Sequence, residues 1–290
     1  MDKIYQNVSE SSKKLYLHNL KKLNDNKEPT TLKFLNETNK VFEKLNVLKE
    51  NTRKTYLIAI IKALKDSGTK SNLKLYQVYY PELEKLNKKY QDTTKMTGGE
   101  QTNWIQDEEI DELNESFEKF VSLIKNKRKL NEKETETLLE YVVFSLYTKT
   151  IPRRGLDYVK MKTANPIDGD KEFNYYWKGK FYFNNYKTKG TYGTQVIDVP
   201  SELESVIKLY LKFKPKDIDF LLVKNNKPFV STTYTTNILK KIFDKQVGVS
   251  MLRKYYATKY LSKGKKELAE VAEKMGNSSA TLSNHYIKEE

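Results

Sequence analysis

The sequence predicts a mainly α-helical protein with a small antiparallel β-sheet, an α+β class. Three observations carry this prediction. Apolar residues recur at helical spacing through the first ninety positions, and again beyond Trp104. Between 173 and 199 that spacing gives way to aromatic and β-branched runs separated by turn residues. Helical spacing returns at Pro200 and dominates from Thr232 to the end.

The elements follow in order. SESSKKLYLHNLKKL (9–23) opens with Ser/Glu capping signals and carries Leu15, Tyr16, Leu20 and Leu23 on one face. NTRKTYLIAIIKALKD (51–66) is the clearest helix, with Asn51 as expected cap and Tyr56, Leu57, Ile60, Ile61 and Leu64 at helical spacing. Arg53 and Lys54 fall in its first turn, where backbone amides also point outward and suit a DNA phosphate. QDTTKMTGGEQTN (91–103) is polar, contains Gly98-Gly99 and has no apolar pattern, so it reads as a linker. An acidic helix start follows at 104–113, and helix continues over 130–147. Strands are expected at 173–177, 180–185 and 194–199, with Lys178-Gly179 as the first turn and KTKGTYG (187–193) as the second. Pro200-Ser201 starts a helix through Phe213. The expected organisation is therefore a helical module at 1–92, a linker at 93–103 and a mixed, mostly helical module at 104–290.

Composition narrows the partner. The net charge is +15 and the pI about 9.4, which favours a polyanion through attraction and counterion release. No apolar run approaches the ~20 residues of a membrane span, and no signal-peptide pattern opens the chain. There are no cysteines, which excludes disulfides and thiolate metal sites, and the two histidines, His18 and His285, lie far apart. Five of the 53 basic residues are arginine: Arg53, Arg128, Arg153, Arg154 and Arg253. Lysine suffices for general attraction to phosphate, whereas guanidinium supplies a rigid fork that grips two oxygens of one phosphate. Arginines in a lysine-biased chain are therefore candidates for that task.

Four segments of the second half stand out in order: TIPRRGLDYVKM (150–161), YKTKG (186–190), SMLRKYYAT (250–258) and MGNSSATLSNHYI (275–287). Together they resemble the tyrosine recombinase, or phage integrase, family. That family carries an arginine followed three residues later by an acid, then a lysine in a β-hairpin. An arginine helix ending in Ala-Thr comes next, and a Gly-x-Ser-Ser segment then leads to a tyrosine. Here these are Arg154 with Asp157, Lys187, Arg253 with Ala257-Thr258, and Gly276 to Ser279 leading to Tyr286. The resemblance covers 104–290; the N-terminal module matches only by position, as a small helical bundle.

The resemblance implies metal-independent DNA strand breaking and rejoining with no cofactor. Tyr286 would be the nucleophile, Arg154 and Arg253 the phosphate clamp, and Lys187 the acid that protonates the departing 5′ oxygen, leaving a 3′-phosphotyrosine. Ser250 and Asn277 stand where the family has imidazoles or tryptophan; both can hydrogen-bond a phosphate oxygen but neither shuttles a proton near neutral pH. Arg153 competes with Arg154 for the clamp, and Lys189 with Lys187 for the acid. Arg154 has a second reading as a surface ion pair with Asp157. Arg53, Lys54, Arg153, Lys189 and Lys254 are the expected DNA-binding residues. The implied assembly is a homotetramer on paired sites in double-stranded DNA, clamped between the two modules, with no membrane involvement. The setting would be mobile DNA, viral or phage-borne, inside a prokaryote, a host nucleus or a viral factory. Two alternatives share much of this pattern: a type IB topoisomerase, and a catalytically weak DNA-binding regulator.

Overall fold

The computed structural model describes residues 4–89, 95–167, 170–261 and 265–287. The chain divides into two compact units, Met1–Asp92 and Thr93–Glu290.

The first unit is built from helices α1 (Glu10–Leu23), α2 (Thr38–Asn46), α3 (Glu50–Ser67) and α4 (Lys70–Lys89), with a short 3-10 turn at Lys33–Asn36. Ser9 caps α1 by accepting from the Ser12 amide. The apolar faces meet in a core that includes Leu20, Leu35, Leu45, Leu57, Ile60, Leu64 and Tyr79. The buried tyrosine hydroxyls are satisfied: Tyr5 donates to the Ala59 carbonyl at 2.6 Å and Tyr79 to the Leu35 carbonyl at 2.8 Å.

Helix α3 begins two residues earlier than its sequence suggests. Lys49 is the cap residue and makes no side-chain capping bond, so Asn51 lies inside the helix. The Arg53 amide already donates to the Lys49 carbonyl at 2.9 Å and is not a free donor. Glu50 occupies the first turn and pairs with Lys89 at 2.5 Å. This helix start carries an acid where a bare anion site was expected.

The second unit continues with α5 (Gly98–Asn103), α6 (Asp107–Ile124), α7 (Glu132–Thr148) and α8 (Gly155–Val159). Then come β1 (Met161–Lys162), β2 (Asn174–Trp177), β3 (Lys180–Phe183), α9 (Lys189–Tyr192), β4 (Gln195–Asp198) and α10 (Ser201–Phe213). The hairpin β5 (Val223–Lys224) and β6 (Lys227–Pro228) precedes α11 (Thr232–Phe243), α12 (Val249–Leu261), α13 (Lys265–Lys274) and α14 (Ser279–His285). The protein is mainly α with a small sheet, as its residue patterns predict.

Part of the expected linker is folded. Thr97 and Glu100 form a capping box that starts α5, and Asn103 accepts from the Gln246 amide at 2.8 Å. Residues 93–94, also assigned to the linker, lie outside the described residues. A polar composition reads as a linker, but here polar side chains stitch the segment to its own unit.

Helix α7 is the axis of this unit and is buried from Leu138 to Tyr147. Asn131 and Glu134 form its capping box. Its apolar surface packs with α6, α10, α11 and the sheet into one core. Strand order is β1-β2-β3-β4, with β3 antiparallel to β2 and β4. Strand β1 was not foreseen and runs parallel to β2, which makes the sheet mixed. Lys178 (φ 48) and Gly179 (φ 73) both take left-handed conformations at the β2–β3 turn, the geometry that a two-residue hairpin of matching twist demands. The β3–β4 connection is more than a turn, because it holds α9.

Candidate functional site

The site begins where α7 ends. Pro152 and the extended backbone at Arg154 (φ −69, ψ 148) separate α7 from α8. Consecutive side chains diverge in extended chain, so Arg153 and Arg154 go different ways. Arg153 turns inward and is 1% exposed. Its Nε meets Asp157 at 3.0 Å, and its Nη1 donates to Gln195 at 2.8 Å and to the Lys274 carbonyl at 2.7 Å. Its guanidinium also stacks over Phe183, 3.8 Å from the ring centroid, and near Tyr186. Arg154 donates to the Gly276 carbonyl and, at 2.5 Å, to Asn277 Oδ1.

Both arginines meet the turn that ends α13. The Gly276 amide returns to the Glu273 carbonyl and the Asn277 amide to the Ala272 carbonyl, with Gly276 at φ +66. This is a Schellman closure, which needs a left-handed residue and favours glycine. A Cβ on Gly276 would meet Arg153 Nη2 at 3.2 Å and Arg154 Nη1 at 3.4 Å. Five consecutive carbonyls in this stretch each accept from a side chain. Gln195 bonds Glu273 O (3.1 Å), Arg153 bonds Lys274 O and Arg253 bonds Met275 O (3.1 Å). Arg154 and Thr188 (2.7 Å) share Gly276 O, and Tyr192 bonds Asn277 O (2.8 Å). Carbonyls at a helix C-terminus lack intrahelical partners and carry partial negative charge, so three guanidiniums suit them.

On the other side lies a cleft of about 520 Å³ lined by Arg154, Ser250, Arg253, Lys254, Glu100 and Tyr286 among others. Arg253 comes from α12, is 3% exposed, and holds its guanidinium 4.8 Å from the centroid of the Tyr286 ring. Burial pushes its pKa down, the Tyr286 phenol partly offsets this, and Arg154 and Arg153 press it lower. An arginine does not surrender its proton under such pressure. An anion beside the guanidinium would oppose that pressure. Arg253 Nε and Asn277 Nδ2 are buried and have no hydrogen-bond partner among the described residues. Asp157 answers Arg153, and the other buried carboxylate beside the cleft, Glu100, is paired with Lys254. Burial pushes the Asp157 carboxyl above its ordinary value, and the Arg153 charge offsets only part of that rise.

Tyr286 follows α14 directly and packs with Ile151, Tyr256 and Ile287 against a small cluster of Ala257, Ala272, Met275 and Leu282. Ser278 caps α14 by accepting from the Thr281 amide. His285 is exposed.

The cleft thus brings together Arg154, Arg253, Ser250 and Tyr286. It does not include Lys187, which is exposed and whose ammonium has no hydrogen bond or ion pair among the described residues. Lys189 opens α9 and also lies outside the cleft lining. Four sequence expectations need correction. Arg153 is not a DNA-facing residue, because Asp157, Gln195 and two aromatic rings enclose it. Asp157 pairs with Arg153 rather than Arg154 and is buried, not on the surface. Asn277 is 1% exposed and turns its oxygen to Arg154, so it holds that arginine and does not line the cleft. Lys254 is tied to Glu100 across the cleft wall, so its charge is already answered. In the first unit, Arg53 donates to Asn46 at 3.0 Å and is partly exposed, as is Lys54.

Sequence reasoning missed Glu100, Thr188, Tyr192 and Gln195. The Thr97-x-x-Glu100 spacing was a signal for the first; the other three have none, because they bond backbone atoms distant in sequence.

No family model and no curated protein matches the chain. Among solved structures, the crystal structure of XerA recombinase is similar at 14% identity and a TM-score of 0.46, over 98% of this chain and 89% of that one. A likeness that distant carries no argument about function.

Proposed function

We propose that this chain is a DNA strand transferase of the tyrosine recombinase type, which breaks and rejoins double-stranded DNA through a 3′-phosphotyrosine on Tyr286. One observation carries the reading: two arginines and the tyrosine singled out by motif order line a single cleft whose charged lining is mostly cationic. A phosphodiester is the anion that matches two guanidinium forks beside a phenol.

In this reading the Tyr286 oxygen attacks phosphorus and the bond to the 5′ oxygen breaks. The phenolic proton passes to water, and Lys187 delivers one proton to the departing oxygen. Arg154 and Arg253 hold the non-bridging oxygens in line and stabilise the charge that grows on them. Ser250, on the first turn of α12, adds a hydroxyl to the cleft rim. The reverse attack, by the same or another 5′ hydroxyl, reseals a strand. Exchange between two duplexes needs four such cuts, hence a homotetramer on paired sites.

The second reading, a binding-only protein, is favoured by two observations: Lys187 lies outside the cleft and Asn277 is turned to Arg154. A pool of random-sequence duplexes nicked in one strand separates the two, since cleavage near the nick releases a fragment and traps the enzyme. Wild type should yield a denaturation-resistant adduct that Tyr286→Phe does not, with a shared sequence among captured duplexes. Binding without any adduct would establish the second reading. Adducts of no common sequence, with relaxation of any supercoiled plasmid, would point to a type IB topoisomerase.

A further inference from the structure

The β3–β4 connection carries Lys187, and two of its other residues grip the turn before α14. Thr188 Oγ1 donates to the Gly276 carbonyl at 2.7 Å, and the Tyr192 hydroxyl donates to the Asn277 carbonyl at 2.8 Å. The Gly276 carbonyl also accepts from Arg154, so one oxygen joins the lysine loop to a cleft arginine. Two residues beyond Asn277, α14 begins, and it ends at the residue before Tyr286. Neither Thr188 nor Tyr192 lines the cleft. We propose that Thr188 and Tyr192 are positioning residues that tie the Lys187 loop to the Tyr286 segment, so that acid and nucleophile keep a common register. This rests on the strand-transfer reading above.

The physical reason is the freedom of lysine. Its ammonium rides on a flexible four-carbon stem and is useful as an acid only if its backbone is anchored. Lys187 is exposed and its ammonium is unpaired among the described residues, so its reach is set by the loop. The anchors go to backbone oxygens, which every residue supplies, so the side chain of Asn277 remains available to Arg154. Either half of the site that shifts must carry or break these two bonds.

The test uses duplexes recovered by covalent capture, made with either the ordinary 5′-bridging oxygen or sulfur at the scissile phosphate. With sulfur, the Tyr286 oxygen–phosphorus bond forms, the phosphorus–sulfur bond breaks and the electron pair leaves on thiolate, which needs no proton from an acid. Lys187→Met is the reference for complete loss of the acid. The double variant Thr188→Val/Tyr192→Phe should lose roughly 10- to 100-fold in adduct formation on the oxygen duplex. On the sulfur duplex it should recover to near the wild-type rate. Wild-type rates on oxygen, or an equal defect on both duplexes, would overturn the positioning role. Amide hydrogen exchange on the DNA-free protein reads the coupling without chemistry: Tyr192→Phe should speed exchange in both 184–194 and 273–279. Acceleration confined to 184–194 would also overturn the proposal. Wild type that forms no adduct with any duplex defeats the strand-transfer reading instead, and the exchange result still decides the coupling.

Discussion

Arg153 and Arg154 are adjacent in the chain and donate to carbonyls two residues apart, Lys274 and Gly276, yet only Arg154 lines the cleft. Arg153 spends its Nε on Asp157 and its face on Phe183. The pair divides two tasks, one holding the C-terminal helices in place and the other facing the open cleft.

That division predicts an asymmetry between the two arginines. Arg153→Met leaves Asp157 buried without its partner and should destabilise the protein by about 3–5 kcal/mol. Arg153→Met with Asp157→Leu should recover much of this loss, since removing both charges avoids the orphan. Urea unfolding of Arg153→Met, Asp157→Leu and the double variant closes the cycle; equal losses in Arg153→Met and the double variant would refute the pairing argument.

Arg154→Lys should leave stability nearly unchanged, because the side chain is only partly buried. It should slow adduct formation by roughly 10²–10³-fold, the cost of removing one preorganised donor from a developing oxyanion. Asn277→Ala should give a smaller defect of the same kind, by loosening Arg154. Single-turnover rates at saturating protein separate both from weakened DNA binding.

Gly276→Ala forces a side chain into a left-handed conformation and against both arginines. A cost of about 1–3 kcal/mol is expected. Thermal unfolding reads it directly. An unchanged midpoint would mean that the turn re-forms without the Schellman closure.

Glu100 predicts an acid limb. Burial alone would raise its carboxyl, but the Lys254 ammonium and the Thr97 amide outweigh this and hold it at about 2, against an ordinary 4.5. A folded value below the unfolded one stabilises the protein fully above the unfolded value. That stability drains away as the pH falls from about 4.5 towards 2. Glu100→Gln should therefore be less stable than wild type at neutral pH, and the gap should close in acid. Melting curves of the two proteins across that range test the sign.

Much of the local structure followed from residue pattern. The strands at Asn174–Trp177 and Lys180–Phe183 show as aromatic runs, and Lys178-Gly179 marks the turn between them. Strand β1 did not show, because two residues, Met161 and Lys162, carry no period. Helix α5 hid in a polar stretch whose only sign was Thr97-x-x-Glu100.

By itself the sequence determined the helical framework, the three-strand meander and the set of arginine and tyrosine candidates, because periodicity and motif order are properties of neighbouring residues. Only the tertiary structure decided which of two adjacent arginines turns inward, that Asn277 serves Arg154, and that Lys254 is claimed by Glu100. Those choices depend on partners up to 154 positions away and on backbone carbonyls whose direction no side-chain pattern records. A guanidinium goes where burial, a counter-charge and orphaned carbonyls coincide, and that coincidence exists only once the chain has folded.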